Sequence, residues 1–149
     1  MERRQEQSSL SYHSKMSLHY SPKNNPRVIV IQKLYGKYFN DEENLTFPKH
    51  RFKKFIKDVV NGTIERDDVI KDEISNHLNS DLDLEKLDKV FQIIIKCAIF
   101  EFLYKPRLSS TIIINEYLKA SNFFIENEQT KYLNAILDKI SKKIRNSNG

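Results

Sequence analysis

Turn-forming residues are scarce in this 149-residue chain, which contains three glycines, four prolines and no tryptophan. Sandwiches and barrels need many tight turns, so this scarcity excludes most all-β architectures and favours long helices joined by few loops. The length corresponds to about one domain. Hydrophobic residues make up 39% and charged residues 30%, a balance typical of folded domains. We therefore predict one all-α domain of about six to seven helices.

Cysteine is almost absent, because Cys97 is the only one. The chain can form no internal disulfide and no multi-cysteine zinc site. Residues 1–23 are polar and contain no continuous apolar stretch of the kind that a secretory signal has. The longest apolar cluster, residues 90–103, is interrupted by polar side chains and is too broken to cross a bilayer. We expect a cytoplasmic protein that does not associate with membranes.

Positive charge is concentrated at the two ends of the chain, whose formal net charge is +5. Residues 1–27 carry five lysines and arginines against two acids, and residues 131–145 carry five against one. If these ends meet in the fold, they form one basic surface, which is compatible with nucleic acid. Residues 1–22 show no periodicity, and we interpret them as a flexible basic arm before a single domain over residues 23–149.

Apolar spacing predicts the first two helices. Pro26 suits a first helical turn, where its missing N–H costs nothing. Arg27–Phe39 carries apolar residues three, four and seven apart, which is one helical stripe. The β-branched run 28–31 leaves a strand open as the alternative. Pro48 begins a second helix, which Asn61-Gly62 ends.

Capping residues predict the remaining helices. Thr63 caps the third, and Asp81 or Asp83 caps a fourth that runs to about Tyr104. The fourth helix is apolar almost all round, which predicts a place in the centre of a bundle. Ser109 or Ser110 caps a fifth helix with Phe123-Phe124 near its end. The last helix begins at about Asn127 and ends in the basic run.

Residues with catalytic or metal-binding potential do not form a recognisable site. No two glycines lie within four residues of each other, so there is no phosphate-binding glycine loop, and the four histidines show no helical ligand spacing. Cys97 lies on the most apolar segment, which indicates a buried, unreactive thiol. We predict no catalytic residue, no metal and no cofactor. Asn115 and Glu116 stand beside three isoleucines, and for them we favour a helix-terminus or inter-helix hydrogen bond.

One group combines aromatic and charged side chains. Lys131 and Tyr132 follow Glu128 by three and four residues, so the three share a helical face, and Phe124 comes one turn earlier. Aromatics beside a lysine can stack unpaired bases and contact phosphates, as in single-stranded RNA binding. A helix-junction cluster with one salt bridge explains the pattern equally well. Both interpretations stay open on composition alone.

Four segments resemble the NusB family of transcription antitermination factors. Arg27-Val-Ile-Val-Ile-Gln-Lys-Leu-Tyr35 is similar to its first-helix signature, and Ile95-Lys-Cys-Ala-Ile-Phe-Glu101 is similar to Leu-Arg-x-Ala-x-Tyr-Glu. Ile112-Ile-Ile-Asn-Glu116 is similar to Val-Ala-Ile-Asn-Glu, and Lys131-Tyr-Leu-Asn-Ala-Ile-Leu-Asp-Lys139 to Lys-Phe-Val-Asn-Gly-Val-Leu-Asp-Lys. The resemblance covers about residues 25–145, with the last three segments in register.

The resemblance implies two small packed helical bundles and a non-catalytic function. It implies binding of boxA-type single-stranded RNA of ribosomal RNA operons together with the small-subunit ribosomal protein that acts as NusE, within the transcription elongation complex. Carried over by position, the RNA-binding residues are Lys23, Arg27, Tyr35, Phe124, Glu128, Lys131 and Tyr132.

Three departures from the family pattern bear on binding. The lead-in to the first helix supplies two positive charges, Lys23 and Arg27, where the family usually has several arginines. Phe91 and Gln92 replace an acid followed by a base, in a region near the ribosomal partner, and Ala135 replaces a glycine. The runner-up function is therefore a protein-interaction module of the same fold with weakened RNA binding, pairing with the ribosomal protein or as a homodimer. An enzyme is the third class, but NusB-like domains fused to RNA methyltransferases need an additional catalytic domain.

Overall fold

A computed structural model describes residues 22–42, 44–77 and 83–147. Most of the predicted arm and one proposed cap, Asp81, lie outside these residues. The described part contains no strand, so the all-α prediction is confirmed and residues 28–31 are helical. None of its helices is long and apolar enough to cross a membrane. Its six α-helices are α1 (Pro26–Phe39), α2 (Lys53–Glu65), α3 (Asp67–His77), α4 (Lys89–Tyr104), α5 (Ser110–Ser121) and α6 (Asn127–Ser147).

Two helix starts agree with the sequence, which predicts Pro26 in the first turn of α1 and a serine cap for α5, and a further cap, Asn25, is seen only in the structure. Pro26 opens α1, and the Asn25 side chain accepts hydrogen bonds from the N–H groups of Arg27 at 3.0 Å and Val28 at 3.3 Å. Of the two serines proposed to cap α5, Ser109 does so, because its hydroxyl accepts from the N–H of Ile112 at 3.1 Å. These bonds satisfy backbone donors that a helix leaves unpaired at its first turn.

The predicted boundary between the second and third helices is wrong. Asn61-Gly62 does not end α2, which continues to Glu65, and Thr63 is buried inside it instead of capping α3. The glycine at position 62 suits the packing of α2 against α4, and it does not mark a reversal of the chain. A Cβ atom at this position would lie 2.2 Å from Cζ of Phe100 in α4, so any larger residue would have to displace that ring.

Two other boundaries also differ from the prediction. Asp83 caps a single 3₁₀ turn, Leu84–Lys86, by accepting from the N–H of Glu85 at 3.1 Å, and α4 begins later, at Lys89. This local side-chain bond gives the backbone an alternative to the helix. Phe123 and Phe124 follow the end of α5 in a turn, where their N–H groups donate to carbonyls three residues earlier.

Helix α4 lies at the centre, as predicted, and packs against each of the other five α-helices. Eleven of its 16 residues are buried. Contacts at its two ends fix the direction of its neighbours. Near its start, Lys89 lies over the Tyr38 ring of α1 and Phe91 contacts Tyr132 of α6. Near its end, Glu101 binds Arg27 at the start of α1, and the Glu101 carbonyl accepts from Arg145 of α6.

Helix α1 is therefore antiparallel to α4, and α6 is parallel to it. The end of α1 and the start of α6 share one end of the bundle. The start of α1 and the C-terminal basic run of α6 share the other end, so the two basic termini of the domain are at the same end.

Replacing Gly62 with alanine is expected to lower the free energy of unfolding by about 1–3 kcal/mol, the usual cost of overpacking a core. The added methyl group has to displace the buried Phe100 ring. Urea denaturation of G62A, F100L and the double variant measures the effect. The double variant should lose less than the sum of the single variants, because the smaller side chain makes room; strict additivity would contradict the packing role of Gly62.

Candidate nucleic-acid interface

The start of α6 presents an exposed aromatic ring on a buried support. Tyr132 is 49% exposed, and its ring centroid lies 5.7 Å from that of Phe91, with 33° between the planes. Phe91 is buried in α4 and holds one side of the tyrosine ring, while the rest faces solvent. Glu128, one turn before Tyr132 in α6, and Lys131, the residue directly before it, are also exposed. The four residues Phe124, Glu128, Lys131 and Tyr132 are called the α6 cluster below.

The charged members of the α6 cluster do not neutralise each other. In the described part of the chain no ion pair joins Glu128 to Lys131, so the salt bridge of the alternative interpretation does not form. Phe124 is half-buried in the turn between α5 and α6, where its N–H donates to the carbonyl of Ser121 at 2.9 Å. The next residue, Ile125, is buried and anchors this turn to the core.

Tyr35 lies at the same end of the bundle as the α6 cluster. Its side chain is 40% exposed, and its ring meets that of Phe39 edge to face, with centroids 4.8 Å apart. Gln32 is exposed one turn earlier on the same face of α1. Gln32 is not among the predicted RNA-binding residues, although its spacing of three from Tyr35 places it beside that residue.

Lys23 lies at the other end of the bundle. It belongs to a 3₁₀ turn, Pro22–Asn24, that precedes α1. The Lys23 carbonyl accepts a hydrogen bond from Nε2 of His50 at 2.8 Å, and the Lys23 side chain is exposed. Twelve residues separate Lys23 from Tyr35, which corresponds to roughly 18 Å along a helix. The structure therefore does not bring Lys23 together with Tyr35 and the α6 cluster.

Arg27 is buried in an ion pair. Its Nε donates to Oε2 of Glu101 at 3.0 Å and its Nη2 to Oε1 at 2.6 Å, with side chains 8% and 0% exposed. The Tyr117 hydroxyl donates to Oε2 of the same carboxylate at 2.5 Å, and Phe55 covers the guanidinium at 4.7 Å. The RNA contact predicted for Arg27 stays untested. Because its N–H groups are bonded to Glu101, Arg27 is not included in the RNA-binding surface proposed below.

Electrostatics support this buried arrangement. Burial, followed by the charge of Glu101, raises the pKa of Tyr117 well above its ordinary value, so the phenol stays a donor. Burial opposes the charged form of Arg27, but Tyr117 and Glu101 outweigh it, and the pKa of Arg27 is raised. Such a pair fixes the arrangement of α1, α4 and α5 because each charge is satisfied only by the other helices.

Other polar residues that the sequence singled out occupy less central positions. For Asn115 and Glu116 the prediction is a helix-terminus or an inter-helix hydrogen bond. The structure shows no inter-helix bond for either residue in the described part of the chain: Glu116 accepts from Lys119 at 3.4 Å within α5, and Asn115 is exposed. Phe91 and Gln92 are both buried, and the Gln92 amide donates to the carbonyl of Leu87 at 2.7 Å. Phe91 therefore lies beneath the surface, whereas Gln92, although 4% exposed, lines a groove at the start of α4. In the described ranges no group of three His, Cys, Asp or Glu side chains could hold a metal ion.

Cys97 is fully buried in α4, and burial raises its pKa far above the ordinary value, because the thiolate would lie in an apolar core. We expect no reaction with the thiol reagent DTNB in the native protein at pH 8, and one equivalent of reaction in 6 M guanidinium. Absorbance at 412 nm measures both states. Reaction of the native protein at the rate of the unfolded chain would contradict the buried position.

Comparisons with known proteins identify the family of this chain. The family model described as the NusB family matches residues 19–142. Relatives named transcription antitermination protein NusB include one from Sinorhizobium fredii, 30% identical over 61% of this chain and 57% of its own length. The one from Caulobacter vibrioides is 25% identical over 83% of this chain and 95% of its own length. The chain thus spans less than two thirds of the first relative and nearly all of the second.

A solved structure shares the fold. T. maritima NusB superposes with a TM-score of 0.69 at 23% identity, covering 82% of this chain and 92% of the other. At this identity the likeness concerns the arrangement of helices alone. With a family model matched over more than four fifths of its residues, this chain belongs to the NusB family.

Proposed function

We propose that this chain is an RNA-binding transcription antitermination factor that binds boxA-type single-stranded RNA of ribosomal RNA operons. The observation that carries the proposal is the exposed Tyr132 ring, supported by Phe91 and flanked by Lys131, in a member of this family. The NusB family is not an enzyme family, in agreement with the predicted absence of catalysis.

Three of the four members of the α6 cluster have a defined chemical task in this proposal, and the fourth, Phe124, is half-buried in the turn that precedes α6. The Tyr132 ring stacks an unpaired base, and the Lys131 ammonium contacts phosphate. The Glu128 carboxylate accepts hydrogen bonds from a base amino group. Tyr35, at the same end of the bundle, supplies a second aromatic contact. Lys23 contacts RNA only if the strand extends to the other end of the domain.

We propose the ribosomal protein that acts as NusE as the protein partner, within the transcription elongation complex. A groove of about 380 Å³ between the end of α1, the α2–α3 junction and the start of α4 supports a protein contact. Its lining combines apolar and charged side chains, including Leu34, Tyr38, Ile64, Asp67 and Lys89. The same groove favours the second candidate, an interaction module that pairs with this protein, or with a second copy, while binding RNA weakly.

Fluorescence-anisotropy titration with a labelled boxA-type RNA tests the proposal at 50 mM and 200 mM salt. Each lysine–phosphate contact should lower log K by about 0.7 per unit of log salt for a single strand. We expect binding that weakens with salt, tightens when the ribosomal protein is added, and exceeds binding of a scrambled RNA. Pairing with the ribosomal protein without RNA binding would favour the second candidate, and salt-independent RNA binding would refute the mechanism.

A further inference from the structure

A second basic surface covers the segment before α2 and its first turns. Residues 44–57 contain five lysines and arginines and no aspartate or glutamate. All five side chains are exposed: Lys49, Arg51, Lys53, Lys54 and Lys57. The carboxylate that follows, Asp58, is shared between Lys54 at 3.7 Å and Lys105 at 3.4 Å. We call the five cations the α2 basic patch.

An aromatic ring is exposed within the α2 basic patch. Phe52 is 40% exposed, with the Arg51 guanidinium 5.2 Å from its centroid and the His50 ring at 6.0 Å. Beside it lies a cavity of about 190 Å³, lined by Phe47 and neighbouring apolar residues and bordered by Lys53. Aromatic side chains among cations are typical of surfaces that bind single-stranded nucleic acid without base selection.

The α2 basic patch lies away from the α6 cluster. His50 is bonded to the backbone of Lys23, and Lys105, just after the end of α4, pairs with Asp58. Tyr132 contacts the opposite end of α4. Phe91, which contacts Tyr132, and Lys105 are 14 positions apart, so about 21 Å of helix separates the two contacts. A ligand that reaches both must be long.

We propose that the α2 basic patch binds the phosphate backbone of single-stranded RNA that flanks the segment held by the α6 cluster, with Phe52 stacking one base. The claim that a boxA-type segment is held at the α6 cluster rests on the proposed function, whereas the ability of the patch to bind RNA does not. Of the five cations, only Lys54 pairs with a carboxylate among the described residues, and that carboxylate, Asp58, is shared with Lys105. The remaining positive charge selects a polyanion. The exposed ring, which can stack a base, selects RNA over an acidic peptide.

The experiment compares a short boxA-type RNA with the same RNA carrying 15-nucleotide extensions on both sides. The patch variant K49Q/R51Q/K54Q removes three cations. The control variant K86Q/K119Q/K142Q removes three exposed lysines elsewhere. We expect the patch variant to bind the long RNA about 10-fold more weakly than the control variant. Its salt slope should fall by roughly two, at about 0.7 per contact, and its affinity for the short RNA should change less than twofold.

Each of the alternative outcomes contradicts a specific part of the proposal. An equal loss of RNA affinity in the patch and control variants would mean that only net charge matters. An equal loss of affinity for the short and the long RNA would mean that the patch and the α6 cluster bind the same segment. If polyglutamate displaced the long RNA as well as unlabelled RNA of equal charge does, the ligand of the patch would be an acidic protein and not RNA. Binding of long RNA through the patch without any binding of the boxA segment would uphold the patch and refute the proposed function. Circular dichroism confirms that all variants are folded.

Discussion

Substitution of Tyr132 by alanine is expected to weaken binding of boxA-type RNA roughly 5- to 150-fold, because a stacked base contributes about 1–3 kcal/mol when measured by alanine substitution. The ring is half-exposed and held by Phe91, so it is ordered before a base arrives. A supported ring loses little side-chain entropy on binding. Anisotropy titration at one fixed salt concentration measures the loss.

The matched control for this prediction is Y132F, which keeps the ring and removes the hydroxyl. It should bind within a few-fold of the natural protein if stacking is the main contribution. A loss in Y132F as large as in Y132A would assign the effect to the hydroxyl, and unchanged binding in Y132A would remove Tyr132 from the interface. Thermal unfolding of both variants tests whether exposing Phe91 has altered the fold.

Substitution of Glu101 by alanine is expected to lower the free energy of unfolding by about 3–5 kcal/mol, the cost of leaving one member of a buried ion pair alone. The Arg27 guanidinium would remain inside the core, and the Tyr117 hydroxyl would lose its acceptor. Urea denaturation with matched slopes measures the change. A loss as large as this removes much of the stability of a typical domain.

The double variant R27M/E101L separates a buried charge from a simple loss of contacts. Apolar replacement of both members of a buried pair is often neutral or stabilising, so we expect the double variant to be more stable than E101A. If the double variant were less stable than E101A, the ion pair itself and not the orphaned charge would be the source of the stability.

Helix patterning was predictable from the sequence because it depends on local spacing. The apolar stripe of α1, the serine cap of α5 and the apolar circumference of α4 each involve residues within a few turns. Gly62 was misread because a helix-ending glycine and a packing glycine look the same in sequence. Only the approach of Phe100, 38 positions away, distinguishes them.

Long-range contacts account for what the sequence did not predict about the site. Glu128, Lys131 and Tyr132 fall together because they are one helical turn apart, so local spacing sufficed. Arg27 and Glu101 are 74 positions apart, and their pairing turns an arginine at a family motif towards the core. The five cations of residues 49–57 were not predicted as a binding surface, because charged residues were counted only at the two ends of the chain. Their high density is visible in the sequence.

The measurement that tests the central claim most directly is RNA binding by K131E and K142E. The two lysines lie on the same helix 11 residues apart, just over three full turns, so both point to the same side of α6 about 16 Å apart. Lys142 is 67% exposed, so its reversal makes the same change of net charge at a position away from Tyr132. It also breaks the pair with Asp138 at 3.1 Å, so thermal unfolding of both variants checks that they are folded. We expect K131E to lose boxA-type RNA binding by at least about tenfold more than K142E, with pairing to the ribosomal protein unchanged in both. Equal binding by the two variants would contradict the claim that RNA is held at the start of α6.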